Sequence, residues 1–357
     1  MIPRRVLLAP LEVAGVVGAL RDGLRAHGVA AELWAVTPHP FVRTHDRLVS
    51  GYAARARASL VAPLRHDVLH YHFGTTLAEF IDVAWSRVAG KPLAVMHYWG
   101  DDCRLRTESG LRPPGADQAW ERTQRAHERT VRRRLRIAGR LCAAALVSDL
   151  ELARFVAPQF RAVYVVPTPL RLPLEPEPAP PPPGEGPIVF HAPSDQLVKG
   201  TATILAAIEA VAARRPLRLR TVTGVPRAQV LAELARADIV VDQLGARTSG
   251  VFALEAMALG KPVLTALDRD LLAPFARSSP LVPVTAQTLE RELERLVDDA
   301  PRRAALGAAG RRFVQEVHDA DRVAAAILHV YAHAARRPRG RFEATAAGVR
   351  PLVWPAE

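Results

Sequence analysis

A lysine and a glutamate stand where the chain could hold a phosphate-containing ligand. Lys199 lies just past the apolar residues 188–192, which predict a strand, and it supplies a positive point charge. Glu255 lies in the helix-forming residues 251–259, which follow a loop of small and polar residues at 245–250. The start of such a helix presents unpaired N–H groups and a positive dipole end to an anion. The predicted phosphate contacts in this loop are Thr248, Ser249, Gly250 and Val251.

The same residues have structural alternatives. Lys199 also fits a surface lysine at a helix start, and the loop also fits an ordinary connection between a strand and a helix. A carboxylate such as Glu255 is favoured near a helix N-terminus by the dipole alone. Residue types and spacing therefore favour a phosphate site here without excluding a purely structural role.

A histidine and two aspartates follow a strand in the other half of the chain. His97 comes directly after the apolar residues 93–96, and Asp101 and Asp102 lie in the next loop. Gly15, near the start of the helix after the first strand, allows a ligand to approach the backbone closely. Histidines in loops are often structural, and none of the histidines here needs a metal to explain it. We therefore predict no metal site.

The elements that would position these residues alternate between strand and helix. Short apolar runs lie at residues 6–9, 31–36, 68–71, 93–96, 143–147 and 162–166, with helical stretches between them. The alternation restarts at 188–192 and continues at 217–223, 238–242, 263–267 and 281–284. Such a pattern predicts an α/β protein with two doubly wound, Rossmann-like parallel sheets. Ligands of such sheets bind beyond the carboxyl ends of the strands, so the cleft between the two domains is the expected site.

Composition shifts divide the chain into segments. Residues 1–172 form the predicted first domain, and residues 188–318 form the predicted second domain. Between them, residues 173–187 are so rich in proline that we expect a stiff, extended linker, with an SH3 or WW ligand as the alternative. A long helical region is predicted at 287–318, and residues 319–357 read as a final helix followed by a basic tail.

The overall composition is that of a globular protein. The 357 residues are 49% hydrophobic and 24% charged, which excludes a disordered chain. Arg4 and Arg5 precede an apolar run that superficially resembles a signal peptide, but Glu12 interrupts it, and no other run is long enough for a membrane span. Cys103 and Cys142 lack metal-ligand spacing and predict a reducing compartment.

The net charge of +12 favours anionic partners. Nucleotide diphosphates, acidic lipid headgroups and nucleic acid all fit this charge. A basic run at residues 122–140 predicts a solvated helix face, with docking on an anionic membrane as the second interpretation. Nucleic acid is the least favoured partner because no aromatic residues are interleaved with the charge.

Four segments resemble glycosyltransferases of the GT-B fold, of the family-4 type. They are HAPS at 191–194 with KGT at 199–201, DVLHYHF at 67–73, HYWGDDCR at 97–104, and the stretch 238–262 that ends in EAMALGKP. The resemblance implies two Rossmann-like domains facing each other across a cleft. It also implies transfer of a hexose from a nucleotide diphosphate sugar, with retention of configuration, without a metal or other cofactor.

The resemblance also assigns roles to residues. It implies that Lys199 contacts the diphosphate and that Glu255 binds the ribose hydroxyls. His97 would hydrogen-bond the transferred sugar, while Asp101 or Asp102 would orient the acceptor. The acceptor itself, whether a glycan, a lipid-linked sugar or a small molecule, is not identified. The implied location is the cytoplasm, with a peripheral position on the inner membrane face as an alternative.

The chain departs from the family pattern at two positions. Arg247 stands where the family usually has a glutamate, eight residues before Glu255, and Ser194 stands where it has an arginine, five residues before Lys199. Arg247 and Arg220 are the candidates to replace the missing diphosphate contact beside Ser194. Three alternatives stay open: a nucleotide-sugar epimerase of similar fold, a catalytically degenerate binding subunit, and a basic nucleic-acid-binding protein. Arg247 and Ser194 favour the second of these.

Overall fold

The computed structural model describes residues 3–38, 44–90, 93–113, 115–176 and 185–352. Within these ranges, nine strands form one sheet, which defines the first domain. Its strands are β1 Arg5–Ala9, β2 Ala30–Ala35, β3 Arg47–Leu48, β4 Val68–His72, β5 Leu93–His97, β6 Ala144–Val147, β7 Ala162–Val165, β13 Gly340–Thr345 and β14 Gly348–Pro351. The order is β14-β13-β7-β6-β5-β4-β1-β2-β3, with every pair parallel except β13 with β14.

Helices cover both faces of this sheet, as the alternating sequence predicts. They are α1 Val16–Ala26, α2 Tyr52–Arg65, α3 Ile81–Val88, α4 Arg106–Ser109, α5 Gln118–Leu141 and α6 Leu150–Val156. Central strands such as β4 and β6 are buried at every residue. Two separate hydrophobic clusters, one on each face, form the core of the first domain.

The second domain is built on a smaller parallel sheet of order β12-β11-β10-β8-β9. Its strands are β8 Ile188–His191, β9 Arg218–Thr221, β10 Ile239–Val241, β11 Val263–Thr265 and β12 Val282–Pro283. Its helices are α7 Gln196–Lys199, α8 Thr201–Ala212, α9 Arg227–Arg236, α10 Val251–Ala258, α11 Leu289–Asp298 and α12 Ala300–Val317. The two sheets confirm the predicted fold class of two Rossmann-like domains.

The C-terminal segment returns to the first domain. Helix α13, Ala320–Ala334, packs on the first sheet beside α1. The two helices approach closely at Gly23, where an added Cβ would lie 2.3 Å from the carbonyl oxygen of Ala320. The prediction of a tail after this helix is wrong for residues 340–351, which form the β13–β14 hairpin at the edge of the first sheet.

Three further sequence predictions concern a helical region, a basic run and a linker. The helical region predicted at 287–318 consists of two helices, because the side chain of Asp299 caps α12 and Pro301 stands in its first turn. The basic run at 122–140 lies on α5, which buries Val131, Leu135 and Ala138 and exposes most of its arginines. Most of the predicted linker, at residues 177–184, lies outside the described residues.

Two simple sequence expectations concern membranes and cysteines. Among the described residues, no helix combines the length and apolarity needed to cross a membrane. Cys103 and Cys142 are both buried and unbridged. Burial raises the pKa of the Cys142 thiol to about 12, so this thiol is held in its protonated form.

Candidate functional site

A cavity of about 460 Å³ opens between the two domains at the start of α10. Val13 and Ala14 line it from the first domain. Its walls from the second domain are Ala192, Pro193, Ser194, Lys199, Val222, Thr223, Gly224, Val225, Arg227, Val230, Gly250, Val251, Phe252 and Glu255. The start of α10 therefore faces the gap between the domains, and the size is that of a small-molecule site.

Lys199 ends the short helix α7 and is held against the loop that follows β10. The backbone N–H of Leu244 donates to the carbonyl oxygen of Lys199 at 3.0 Å. The contact is so close at Gly245 that an added Cβ would lie 1.7 Å from the carbonyl oxygen of Val198. The Lys199 ammonium donates to the fully buried carboxylate of Asp242 at 2.8 Å. A positive group is thus fixed at the cavity wall.

The first turn of α10 has the open amides that the sequence predicts. Gly250 is the N-cap, and no side chain caps the helix. A Cβ built on Gly250 would meet nothing within 4 Å, so a ligand has room at this backbone. Gly250 and Val251 line the cavity, whereas Thr248 and Ser249 line a separate, small pocket with Ser148 and Asp149. The structure therefore brings together half of the predicted phosphate loop.

Glu255 lies on the wall of the same cavity and is nearly buried. Arg227 holds it, with Nε and Nη2 at 2.7 and 2.6 Å from the carboxylate oxygen Oε1. Burial raises the pKa of Glu255, and the neighbouring Arg227 opposes that rise. Residue types and spacing alone do not single out Arg227, although Pro226 and the end of β9 place it at a helix start beside a strand terminus.

Ser194 and Gly15 occupy less central positions. Ser194 is an exposed residue at the cavity wall. Gly15 is the N-cap of α1 in a left-handed conformation with φ of 80°. The carboxylate of Glu12 accepts from the N–H groups of Val17 and Gly18 at 3.3 and 2.6 Å. Because a carboxylate already occupies these amides, this helix start is closed to a second anion.

His97 ends β5 as part of a buried aromatic cluster. It is paired in register with His72 of β4, and His70 lies two residues before His72. None of the three imidazoles has exposed surface. The indole of Trp99, which is partly exposed, stacks on His97 with ring centroids 3.9 Å apart. Burial lowers the pKa of His97 well below its usual value, and His70 adds to this effect.

The two predicted aspartates have internal partners. Asp101 forms salt bridges with Arg104 and Arg106 at 3.0 and 2.8 Å. Burial opposes its ionisation, but the two arginines lower its pKa overall. Asp102 accepts from the N–H groups of Trp99 and Gly100 at 3.0 and 2.7 Å. Asp102 therefore fixes the turn that carries Trp99.

Arg247 and Arg220 both lie away from the cavity wall. Arg247 reaches the first domain, where its Nη2 donates to the carbonyl oxygen of Ser109 at 2.9 Å and lies 3.6 Å from the buried carboxylate of Glu151. Arg220 pairs with Glu233 on α9 at 3.0 Å. Within the described chain, Arg227 is the arginine that lines the cavity beside Lys199.

Comparisons with known proteins agree with this architecture. A family model described as glycosyl transferase-like matches residues 198–329, which include Lys199 and all of α10. No curated protein sequence matches the chain. Among solved structures, the chain is similar to a sucrose-phosphate synthase from Thermosynechococcus elongatus, with 15% identity, a TM-score of 0.65, and coverage of 92% of this chain and 98% of that one.

Two further solved structures share the architecture. WaaG, a glycosyltransferase involved in lipopolysaccharide biosynthesis, is 12% identical with a TM-score of 0.57, over 92% of this chain and 99% of that one. Anabaena HepE, solved in complex with UDP and glucose, is 14% identical with a TM-score of 0.55, over 89% and 96%. The GT-B fold is confirmed. The glycosyl transferase-like region covers most of the second domain of this fold.

Proposed function

We propose that the protein transfers a sugar from a nucleotide diphosphate sugar bound in the inter-domain cavity. The observation that carries this proposal is the convergence of three groups on one cavity wall. They are the ammonium of Lys199, the uncapped start of α10 at Gly250, and the carboxylate of Glu255. A lysine and a helix N-terminus suit a diphosphate, and a carboxylate suits the two hydroxyls of a ribose.

The physical requirements of sugar transfer support the same assignment. The leaving diphosphate develops negative charge, and fixed positive groups that need no reorganisation stabilise it best. Lys199 is fixed by Asp242, and the α10 dipole is fixed by the fold. The similar fold of HepE, which was solved with UDP and glucose, also favours a nucleotide-sugar ligand. A metal-free reaction, retention of configuration and a hexose donor complete the proposal, on the strength of the family resemblance.

A thermal-shift panel tests the proposal directly. The full-length protein would be heated with UDP, GDP, ADP and dTDP, with their hexose conjugates, and with inorganic phosphate as a control. A ligand at a hundredfold excess over its dissociation constant stabilises the folded state by about 2.7 kcal/mol. We expect one nucleotide series to raise the melting temperature by several degrees and phosphate to have no effect. An unchanged melting temperature with every nucleotide would contradict the proposal.

A catalytically inactive binding protein is the second candidate. The observation that favours it is Arg247, which contacts Ser109 and Glu151 of the first domain instead of placing a carboxylate at the cleft. Such a protein would show the thermal shift without any release of free nucleotide, with or without acceptors. An epimerase would convert the nucleotide sugar without an acceptor, so product analysis of the donor alone separates these cases.

A further inference from the structure

The histidine cluster of the first domain is a chain of hydrogen bonds that begins on the C-terminal helix. The hydroxyl of Tyr331 on α13 lies 2.7 Å from Nδ1 of His70. Nε2 of His70 lies 3.2 Å from Nδ1 of His97. All three side chains are buried. These hydrogen bonds therefore join α13 to the end of β5.

Counting the protons on each group shows which atom donates in each of these hydrogen bonds. Within the described residues, the Tyr331 hydroxyl has His70 as its partner, and a buried hydroxyl that failed to donate would leave its own proton unpaired. Tyr331 therefore donates to Nδ1 of His70. A neutral imidazole carries one proton, so His70 carries it on Nε2 and donates to His97. The hydrogen-bond pattern thus assigns the His97 proton to Nε2.

Both imidazoles stay neutral at ordinary pH. Burial lowers the pKa of His70 to about 3. Burial and the neighbouring His70 also lower the pKa of His97 well below its usual value. The assignment of one proton to each ring therefore holds at neutral pH.

A second, independent contact fixes His72 in the same way. The indole N–H of Trp99 donates to Nδ1 of His72 at 3.2 Å, which leaves the proton of His72 on Nε2. Within the described part of the chain, Nε2 of His72 and Nε2 of His97 are both buried and without a hydrogen-bond partner. The two residues are direct neighbours on adjacent strands, with ring centroids 5.7 Å apart. Two N–H donors thus stand side by side with nothing to donate to.

We propose that Tyr331 and His70 are positioning residues that hold His97, with His72 beside it, as N–H donors to oxygen atoms of the sugar substrate. Trp99 supports the pair, since it stacks on His97 and binds His72. This inference rests on the proposed sugar transfer and deepens it. The family resemblance already implies that His97 binds the transferred sugar. The new element is that Tyr331 and His70 fix its proton, and that His72 adds a second neutral donor beside it at the carboxyl ends of β4 and β5. It adds His72, His70 and Tyr331 to the residues on which turnover depends.

The same proton assignment argues against a metal at the three histidines. One nitrogen from each of His70, His72 and His97 lies within 4.8 Å of the others, a spacing that could suggest a metal site. A metal on Nε2 of His72 or His97 would require the proton of that ring to move to Nδ1, which already accepts a hydrogen bond from Trp99 or His70.

Nitrogen NMR of the full-length protein tests the assignment without any need for turnover. With ¹⁵N-labelled histidine, the ring nitrogens of a neutral imidazole reveal which of them carries the proton. In the unchanged protein we expect both His72 and His97 as neutral Nε2–H tautomers. Tyr331→Phe should convert His97 to a mixture. The matched control is Tyr164→Phe, because Tyr164 also bonds a histidine on α13, His333, at 2.8 Å but lies outside the cluster.

Turnover and zinc titration complete the test. Tyr331→Phe should lower kcat at least tenfold and leave the nucleotide-induced thermal shift intact, while Tyr164→Phe changes neither. A His97 proton on Nδ1 in the unchanged protein overturns the inference, as does stoichiometric Zn²⁺ binding that is lost in His72→Gln. If no nucleotide stabilises the protein while the tautomers are as assigned, the proposed function fails and the proton assignment stands.

Discussion

Arg227 holds Glu255 from one side, with Nε and Nη2 at 2.7 and 2.6 Å from the same carboxylate oxygen, Oε1. The pair lies on the cavity wall with its carboxylate nearly buried and its guanidinium partly exposed. A buried carboxylate without a partner would be costly. Arg227 thus favours the ionised form of Glu255 against the effect of burial and orients the carboxylate towards the proposed ribose site, a role that spacing alone does not reveal.

The ribose contact gives the first prediction. Glu255→Gln should reduce the preference for ribonucleotides over 2′-deoxyribonucleotides, because the carboxylate is the group proposed to accept from the ribose hydroxyls. We expect the unchanged protein to bind the ribose form at least tenfold more tightly, since a site built to bind a hydroxyl rejects the analogue that lacks it. Calorimetric titration with the nucleotide diphosphate and its deoxy analogue measures this. Arg220→Gln, which alters a pair outside the cavity, is the control.

Equal affinities for ribose and deoxyribose forms in the unchanged protein would remove Glu255 from the ribose site. A preference that survives Glu255→Gln would do the same, because the selectivity would then come from another group.

Lys199 and Asp242 provide the second prediction. Lys199→Met should lower the free energy of unfolding by about 3–5 kcal/mol, because it leaves the carboxylate of Asp242 buried and unpaired. Adding Asp242→Asn should restore most of that stability, since the uncompensated charge is removed. Both variants should lose the nucleotide-induced thermal shift. Urea unfolding measures the first effect and thermal shift measures the second.

The double variant separates the structural role of Lys199 from its binding role. If it recovers stability and still responds to nucleotides, Lys199 serves only to pair with Asp242. Arg214→Gln is the control for loss of a positive charge on the second domain, because Arg214 pairs with Glu290 on the surface. It should leave the nucleotide response unchanged.

The sequence predicts the fold better than it predicts the contacts within the site. Most strands and helices follow from apolar runs separated by Gly and Pro, because burial on both faces of a parallel sheet demands such runs. The hairpin at 340–351 is not predicted from the sequence, because its strands lie at a sheet edge and do not need a continuous apolar run. The sequence GRFEAT of its first strand has no such run. It pairs with β7, nearly 180 residues earlier in the chain, a partner that no local pattern indicates.

Local spacing also does not predict side-chain pairs between residues that are distant in the sequence. Four residues selected from the sequence, Lys199, Gly250, Val251 and Glu255, line the cavity in the structure. Arg227 meets Glu255 across 28 residues, and Tyr331 meets His70 across 261. Such contacts depend on how the elements pack, so they become visible only in the structure.

Replacing either of two glycines in the same loop by alanine should have very different effects on stability. At Gly245 an added Cβ would lie 1.7 Å from the carbonyl oxygen of Val198, which is backbone and cannot yield. We expect Gly245→Ala to destabilise the protein by about 1–3 kcal/mol or more and to displace Lys199. Gly250 has open space at its Cβ position and an extended backbone that alanine adopts. Gly250→Ala should therefore fold with a loss of less than about 1 kcal/mol.

Nucleotide binding distinguishes the two variants further. The methyl group of Gly250→Ala would stand at the open amides of α10, so the nucleotide-induced thermal shift should fall although the fold is intact. A full nucleotide response in Gly250→Ala would argue that the phosphates bind elsewhere.

Asp102 should make the stability of the protein depend on pH. Burial raises its pKa to about 6 from 3.8, against the opposing effect of the N–H groups of Gly100 and Trp99. A carboxyl group whose pKa is higher in the folded state stabilises the protein when protonated. That contribution is complete below pH 3.8 and is lost as the pH rises through 6. Between pH 8 and pH 5, the unchanged protein should therefore gain about 1 kcal/mol relative to Asp102→Asn.

Urea unfolding of both proteins at pH 8 and pH 5 measures this difference. The buried histidines act in the opposite direction, because their lowered pKa values favour unfolding as the pH falls below about 6.5. They are present in both proteins, so their effect cancels in the comparison. Parallel pH profiles for the two proteins would show that Asp102 ionises at its ordinary pKa and that the turn carrying Trp99 tolerates the charge.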